Sequence, residues 1–286
     1  MNITITNAIS FDVEDWFQVE NLKEAISFES WDSLETRVVE NTRRILRILE
    51  QRQTHATFFI LGWIAEKRPA LVKEIAERGH EIASHGYGHE LVYKLTPDAF
   101  HADILRSKEI LESITGRQAL GYRAPSFSIT PESEWALDIL KGLGFVYDSS
   151  IFPTSFHNRY GFSGASRFPF RFANGLAEIP LSTLRLCGAN LPIAGGGYFR
   201  LFPYFCFRQL CRRLNNQERA IVFYLHPWEL DPGQPRVDIR LNYRLRHYIN
   251  LEKTEERLDR LLGDFEFVPL ADLVEQYFPG TINETV

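Results

Sequence analysis

The stretch Ile9-Ser10-Phe11-Asp12-Val13-Glu14-Asp15-Trp16 places three carboxylates within four residues, directly after an apolar run that reads as a buried strand. Parallel α/β folds place their active sites at the carboxyl ends of such strands. Carboxylates crowded there repel one another, so a positive group such as a metal ion must offset their charge. The octapeptide therefore predicts either a metal site at the end of the first strand or a solvated acidic turn.

The bulk composition indicates a globular protein without a nucleic-acid partner. The chain has 286 residues, 44% hydrophobic and 24% charged, and its net charge of −5 provides no basic field for nucleic acid or an anionic membrane. No apolar run approaches the roughly 20 residues of a membrane helix, and the first residues lack the features of a signal peptide. We expect a cytoplasmic protein without membrane insertion, and leave a periplasmic or cell-envelope location open. The composition does not indicate an oligomeric state.

Strand-like runs alternate with helical patterns along the chain. Residues 56–61 form a continuous apolar run, typical of a strand buried on both faces. Pro69 and Thr96-Pro97 suit the first turns of two helices, and Asp32 with Glu35 has the spacing of a capping box, which predicts a helix opening at residues 31–35. About seven to eight strands in one unbroken series predict an α/β fold of parallel strands, a distorted (β/α) barrel.

The same pattern predicts a single domain over residues 1–286. No low-complexity linker or internal repeat divides it. Irregular insertions are expected at about 149–175 and 185–203, and the second contains Gly195-Gly196-Gly197-Tyr198-Phe199-Arg200. This glycine-rich segment lacks the spacing of a phosphate-binding loop, so nucleotide binding is not predicted.

Reactive side chains follow the predicted strand ends: Asp12, Glu14, Asp15, His85, His89, Arg123, Asp148 and His226. The carboxyl ends of barrel strands meet on one face, so we expect these groups to converge. The two histidines, four residues apart, can bind one metal from a single turn. With a first-strand carboxylate they make a three-ligand open site suited to zinc or another first-row divalent metal. The alternative is that one histidine caps a turn and the other lies in solvent.

Five segments, in order, resemble the motifs of the polysaccharide deacetylases (the NodB-homology family, carbohydrate esterase family 4): Phe11-Asp12-Val13-Glu14-Asp15, Ser84-His85 with His89, Arg123-Ala124-Pro125-Ser126, Asp148-Ser149-Ser150-Ile151-Phe152 and Leu225-His226-Pro227-Trp228-Glu229. The resemblance covers about residues 5–275 and implies a NodB-like barrel. The opening motif and the glycine-rich segment are similar to a branch associated with exopolysaccharide gene clusters of the exosortase type. That branch carries an extra C-terminal segment, here about 227–286.

The resemblance implies metal-dependent removal of N-acetyl groups from N-acetylhexosamine units of a polysaccharide or its precursor. It implies the following roles: Asp12 as general base held by Arg123, His226 as general acid oriented by Asp148, His85 and His89 as metal ligands, and the backbone N–H of Ser126, after Pro125, as oxyanion donor. Amide hydrolysis needs such a set, because water must be activated and a poor amine leaving group must be protonated.

The sequence departs from the family pattern at the metal carboxylate. The usual motif has two adjacent aspartates, but Val13 follows Asp12 here. The ligand must then be Glu14 or Asp15. A regular strand puts residue 14 on the same face as Asp12, which favours Glu14, whereas a bulge would favour Asp15.

Further residues are expected to wall a glycan groove. They are Phe152, where the family commonly has Trp, together with Trp228, Arg159 and Tyr198. Two other functions remain open: hydrolysis of a non-sugar amide or cyclic imide on the same fold, and an inactive glycan-binding module. The second predicts the loss of reactive groups, yet all five motifs retain them.

Overall fold

The computed structural model describes residues 5–154, 161–162, 164–186 and 188–282. The strands in these residues are β1 (Asn7–Val13), β2 (Thr57–Ile60), β3 (Glu81–Ser84), β4 (Gly121–Tyr122), β5 (Tyr147–Asp148), β6 (Phe170–Arg171), β7 (Ala177–Glu178), β8 (Thr183–Leu186), β9 (Ala189–Pro192), β10 (Val222–Leu225) and β11 (Phe267–Val268). The α-helices are α1 (Val38–Gln51), α2 (Gly62–Lys67), α3 (Pro69–Glu77), α4 (Pro97–Thr115), α5 (Trp135–Gly142), α6 (Gly196–Leu201), α7 (Tyr204–Asn215), α8 (Leu241–Tyr248), α9 (Thr254–Asp264) and α10 (Leu270–Tyr277). Short 3₁₀ helices cover Glu20–Leu22, Phe28–Ser33, Val92–Lys94, Pro125–Phe127, Pro131–Ser133, Pro227–Leu230 and Leu251–Lys253.

The main sheet is a curled, mostly parallel sheet with the strand order β10-β1-β2-β3-β4-β5-β7-β6, and β11 pairs with β1. Every pairing in it is parallel except that of β6 with β7. Within the described residues the end strands β10 and β6 do not pair with each other, so the barrel stays open. This architecture confirms the predicted α/β class and the distorted barrel of parallel strands.

One large core joins distant parts of the chain. Its buried apolar side chains include Phe11 of β1, Leu49 of α1, Phe207 of α7 and Leu261 of α9. β2 is buried over its whole length, as the continuous apolar run of residues 56–61 predicts, and β1 is buried over its whole length as well. The single domain remains a prediction, which this shared core supports. No helix in the described part of the chain combines the length and apolar character that crossing a bilayer requires.

Two helix starts are confirmed and one is wrong. α3 begins at Pro69, and α4 begins at Pro97, where the Thr96 hydroxyl accepts the Ala99 N–H at 3.2 Å. The predicted helix opening at residues 31–35 is instead a 3₁₀ helix ending at Ser33, and α1 begins only at Val38. The proposed capping residue, Asp32, forms an ion pair with Lys67.

The segment expected to be irregular around residues 185–203 contains regular structure. β8 and β9 form an antiparallel hairpin there, and the glycine-rich stretch opens α6. In the described part of the earlier segment, β6 is the regular element. The later region lies beside β10, because Gly195 forms a parallel backbone bridge with Tyr224.

Candidate active site

Asp12 and Arg123 form a buried ion pair at the carboxyl ends of β1 and β4. Arg123 Nη1 donates to Asp12 Oδ1 at 2.7 Å and to the Ser10 hydroxyl at the same distance. Nε and Nη2 of the arginine donate to the carbonyl and hydroxyl of Ser149. Both charged side chains are at most 2% exposed. The arginine therefore fixes one oxygen of the carboxylate and leaves the other, Oδ2, directed at the ring of His226, 4.0 Å away.

Glu14 lies between the two histidines that follow β3. Its Oε1 is 3.1 Å from His85 Nε2 and 2.9 Å from His89 Nε2, and all three side chains are buried. Burial alone would raise the pKa of Glu14, but the imidazoles of His89 and His226 lower it well below its usual range. His85 Nδ1 lies 2.7 Å from the Arg123 carbonyl, which can only accept, so Nδ1 carries the proton and Nε2 offers a lone pair.

Asp15 lies apart from this cluster and serves the backbone instead. Its Oδ1 accepts the Trp16 N–H at 2.9 Å, and its Oδ2 accepts the N–H groups of Arg37 and Val38 at 2.8 and 3.0 Å. These donors lie at the start of α1, whose first amides have no partner within the helix. Burial raises the pKa of Asp15 to about 6 in spite of these bonds. Of the two candidate ligands, the structure brings Glu14 and not Asp15 to the histidines.

The orienting partner of His226 differs from the one expected. His226 Nδ1 donates to Glu229 Oε1 at 2.7 Å, while Nε2 lies 3.7 Å from Glu14 Oε1. Burial would lower the pKa of His226, but Glu14 and Glu229 together raise it to about 9. The pKa of Glu229, which burial would raise, is held at about 2 by Arg200 and His226. The expectation that Asp148 orients this histidine is therefore corrected, since Glu229 occupies that position.

Asp148 instead belongs to a buried carboxyl pair behind the site. It accepts the Ser150 hydroxyl at 2.5 Å and the Ser150 N–H at 3.2 Å. Burial raises its pKa to about 6, and burial together with Asp148 raises the pKa of Glu178 well above its usual range. Because two adjacent buried carboxylates cannot both ionise readily, this pair retains a proton.

Asp12, Glu14, His89 and His226 line a pocket with a volume of about 480 Å³. Ser126, Tyr198 and Trp228 line it, as expected, and Phe127 joins them. Phe152 does not: it is 1% exposed and packs behind Phe127, with ring centroids 5.5 Å apart. Pro125, also buried, precedes Ser126 in its 3₁₀ turn without lining the pocket. Arg159 lies outside the described residues.

The backbone around the pocket is strained. His89, Ser126 and Phe127 adopt positive φ values of 55°, 52° and 55°, which side chains other than glycine rarely take. Such conformations cost of order 1–3 kcal/mol each and tend to occur at functional sites. They place Ser126 at the pocket wall and His89 against Glu14.

Two family models match adjacent parts of the chain. Residues 23–147 match the family described as "Polysaccharide deacetylase", and residues 149–275 match one described as "Domain of unknown function (DUF3473)". Residues 23–147 are thus similar to the polysaccharide deacetylase family. Its motif residues Asp12, Glu14 and His226 lie outside the first match, two before it and one within the second.

Several proteins named as deacetylases are similar to part of the chain. It is 38% identical over 101 residues to a peptidoglycan-N-acetylglucosamine deacetylase of Bacillus cereus, covering 35% of this chain and 37% of that protein. It is 29% identical over 133 residues to the peptidoglycan-N-acetylmuramic acid deacetylase PdaA of Bacillus subtilis, covering 46% and 48%. These matches thus span half or less of the relatives' length. A Mycobacterium smegmatis structure assigned as a polysaccharide deacetylase shares the fold, with a TM-score of 0.61, 23% identity and coverage of 96% and 91%.

The donor set beside the ends of β1 and β3 fits a divalent metal. The ligand atoms of Glu14, His85 and His89 all lie within 4.8 Å of one another. One carboxylate and two imidazoles suit zinc and neighbouring first-row metals, and three protein ligands leave positions for water and substrate. The fixed tautomer of His85 adds to the fit, because its free lone pair points at the shared centre.

Sequence reasoning missed Glu229 as the partner of His226, and Phe127 as a pocket residue. A signal existed for Glu229, since residues three apart are neighbours on a helical turn and Pro227–Leu230 is such a turn. Phe127 carried no comparable signal. It reaches the pocket through the two consecutive positive-φ residues of its turn.

Proposed function

We propose that this chain is a metal-dependent deacetylase that removes N-acetyl groups from N-acetylhexosamine units of a polysaccharide or its precursor. The resident ion is zinc or another first-row divalent metal. The observation that carries the proposal is the convergence of Glu14, His85 and His89 beside the Asp12–Arg123 pair and His226. A metal-ligand set, a held carboxylate and a positioned imidazole are the groups that amide hydrolysis requires.

In this mechanism Asp12 is the general base. When bound, the metal polarises the acetyl carbonyl and lowers the pKa of the attacking water towards about 7. Asp12 accepts the proton from that water, and Arg123 holds Oδ1 so that Oδ2 remains available. The backbone N–H of Ser126 donates to the oxygen of the tetrahedral centre, a contribution of about 3–4 kcal/mol where single donors have been removed elsewhere.

His226 is the general acid. Although burial lowers the pKa of its ring, the neighbouring carboxylates raise it above the ordinary value, and the Nδ1 bond to Glu229 favours the protonated form. Its Nε2 faces Glu14 and Asp12, so a proton there is delivered on the side of the pocket where the amide nitrogen must lie. The C–N bond then breaks, acetate leaves with the oxygen of the water, and the sugar nitrogen departs as an amine carrying the proton from His226.

A sugar substrate is supported by the pocket and by the relatives. Tyr198 and Trp228 line the pocket, and aromatic side chains provide apolar faces with polar tips for a sugar ring. The relatives carry names that state N-acetylglucosamine, N-acetylmuramic acid and chitooligosaccharide substrates. We extend the proposal to exopolysaccharide biosynthesis on the sequence resemblance of the first motif and the glycine-rich segment.

Acetate release from N-acetylglucosamine oligomers tests the proposal. We expect release by the purified protein, loss on chelation and recovery with added zinc. Asp12→Asn and His226→Ala should lower kcat by roughly 10²–10⁴-fold, the usual contribution of a general acid or base. His101→Ala, at an exposed histidine on α4, is the matched control and should retain full activity.

Two outcomes would replace the proposal. Turnover of a cyclic imide or another non-sugar amide, with no acetate from any sugar, would assign the protein to the amidohydrolase alternative. Oligosaccharide binding without turnover in the metal-loaded protein would assign it to the inactive binding module.

A further inference from the structure

The segment matched as a domain of unknown function supplies part of the site. Residues 149–275 contain His226, its partner Glu229 and Arg200 of α6. Glu229 and Arg200 are each 1% exposed, and Arg200 Nε donates to Glu229 Oε2 at 2.6 Å. One oxygen of the Glu229 carboxylate thus bonds to the imidazole and the other to the guanidinium.

Arg200 is itself fixed by the backbone at the C-terminal end of α8. Its Nη1 donates to the carbonyls of His247 and Ile249, both at 2.9 Å, and its Nη2 donates to the Arg246 carbonyl at 3.2 Å. All three guanidinium nitrogens of Arg200 donate, to three backbone carbonyls and one carboxylate. Arg200 therefore has one position, and that position determines where the Glu229 carboxylate lies.

The glycine-rich segment makes room for this carboxylate. A Cβ on Gly196 would lie 2.1 Å from both carboxylate oxygens of Glu229, which is closer than real Cβ contacts. By contrast, a Cβ on Gly197 would meet nothing within 4 Å. Since α6 begins at Gly196, the glycine lets the helix start against the carboxylate while Arg200, one turn later, reaches its second oxygen.

The plane of the His226 ring is fixed from another direction. Trp228 stacks on it with centroids 5.2 Å apart and planes 24° apart, and His247 stacks on the far face of Trp228 at 4.3 Å and 9°. The Nδ1 bond to Glu229 sets the rotation of the ring about its attachment, and the stacking sets its tilt. Both constraints come from residues 149–275.

We propose that Glu229 and Arg200 are positioning residues that hold His226 with Nδ1–H bound and Nε2 directed at the scissile amide. The segment of unknown function therefore supplies the general acid of the reaction together with its support. This inference rests on the function proposed above, in which His226 protonates the leaving amine. Glu229 is 1% exposed and both of its oxygens are bonded, so it acts through the histidine.

Glu229→Gln tests the proposal because Arg200 can only donate. The backbone N–H and Nδ1 of His226 donate to the other carboxylate oxygen, whereas an amide has only one acceptor oxygen. The NH₂ group must therefore oppose a donor of Arg200 or of His226, and the charge that holds both is lost. We expect kcat on N-acetylglucosamine oligomers to fall roughly 10²-fold or more, as when a catalytic histidine loses its carboxylate, with KM changed less than about threefold. Hydrolysis of 4-nitrophenyl acetate, whose leaving group needs no proton, should fall less than about threefold.

Gly196→Ala and Gly197→Ala form a matched pair that alters no charged side chain. The first should reproduce the selective loss on the amide substrate. The second, whose Cβ would meet only open space at the pocket, should keep the amide-to-ester ratio of the wild type. Equal losses on amide and ester in Glu229→Gln or Gly196→Ala would overturn the proposal, because they would indicate general damage to the site. Unchanged kcat on the amide would overturn it as well.

A readout without substrate separates this inference from the proposed function. In ¹⁵N-histidine-labelled protein, the Nδ1 proton of His226 should give a hydrogen-bonded ring resonance in wild type and Gly197→Ala. It should be lost or strongly shifted in Glu229→Gln and Gly196→Ala. An unaltered resonance in Glu229→Gln overturns the positioning role, whereas failure of the wild type to release acetate overturns only the deacetylase assignment.

Discussion

Glu14 and Asp15 are adjacent carboxylates that we expect to fail in different ways when each is replaced. Glu14→Gln keeps the shape of the side chain but removes the charge that faces His85 and His89. If Glu14 is a metal ligand, the affinity for zinc should fall by more than the roughly 10–100-fold that loss of a supporting contact outside the ligand shell costs. In the presence of chelator, the free energy of unfolding should change little.

Asp15→Ala should do the reverse, retaining the metal and losing stability. The change leaves three backbone N–H groups, of Trp16, Arg37 and Val38, without their acceptor. Loss of a helix-capping acceptor costs about 0.5–2 kcal/mol of stability, and the unpaired N–H of Trp16 adds to this cost. Removing a buried carboxylate whose pKa is raised to about 6 offsets part of the loss. We expect a loss of about 2 kcal/mol, or roughly 4–8 °C in Tm for a chain of this size.

The two effects are separated by measuring metal content and stability on the same samples. Metal is quantified by mass spectrometry after equilibration with buffered zinc, and unfolding is followed in urea with chelator present, which removes the contribution of the ion. Asp15→Asn, which keeps one acceptor oxygen, is the intermediate control. Full zinc binding by Glu14→Gln together with metal loss in Asp15→Ala would refute the reasoning and make Asp15 the ligand.

Three further predictions concern the core and the pocket. Burial lowers the pKa of His80 to about 4, so folding favours its neutral form. Its full contribution to stability is present above pH 6.5, and about 2–3 kcal/mol of the free energy of unfolding should be lost as the pH falls from 6.5 to 4. Urea titrations across this pH range measure the loss, and His80→Gln should abolish it. Arg123→Met should destabilise the protein by about 3–5 kcal/mol, because it leaves Asp12 buried without its counter-charge, and a loss below 1 kcal/mol by chemical denaturation would contradict the buried pair. Tyr198→Ala should raise KM for N-acetylglucosamine oligomers several-fold with kcat nearly constant, whereas an equal fall in kcat would show that Tyr198 acts in the chemical step.

Much of the fold followed from local patterns, and the exceptions have a tertiary cause. Pro69 and Thr96-Pro97 mark helix starts because their effect is local to the first turn. The start of α1 is set differently, since Asp15, more than twenty residues upstream, accepts the first amides of the helix. A capping pattern at residues 32–35 cannot reveal an acceptor that arrives from another strand end.

In the site, too, the sequence motifs identify individual residues, whereas some of the contacts between them depend on tertiary packing. The period of two along a strand correctly placed Glu14 on the side of Asp12, where the histidines lie. The motifs also named His226, but the carboxylate that reaches its Nδ1 depends on how residues 196–249 fold over β10. That contact joins α6, a 3₁₀ turn and the end of α8, so no single stretch of sequence encodes it.

The charges of the site, taken together, argue for the position of the metal. Among the described residues, Asp12 is compensated by Arg123 and Glu229 by Arg200, both through direct ion pairs. Asp15 bonds to backbone amides, and Asp148 shares a buried environment with Glu178 that disfavours ionisation. Glu14 alone in this group is paired only with imidazoles: His85 and His89, which would be neutral as ligands, and His226 at 3.7 Å. A divalent cation at Glu14 would add the positive charge that neutral His85 and His89 cannot supply, which supports the proposed metal position at the end of β1.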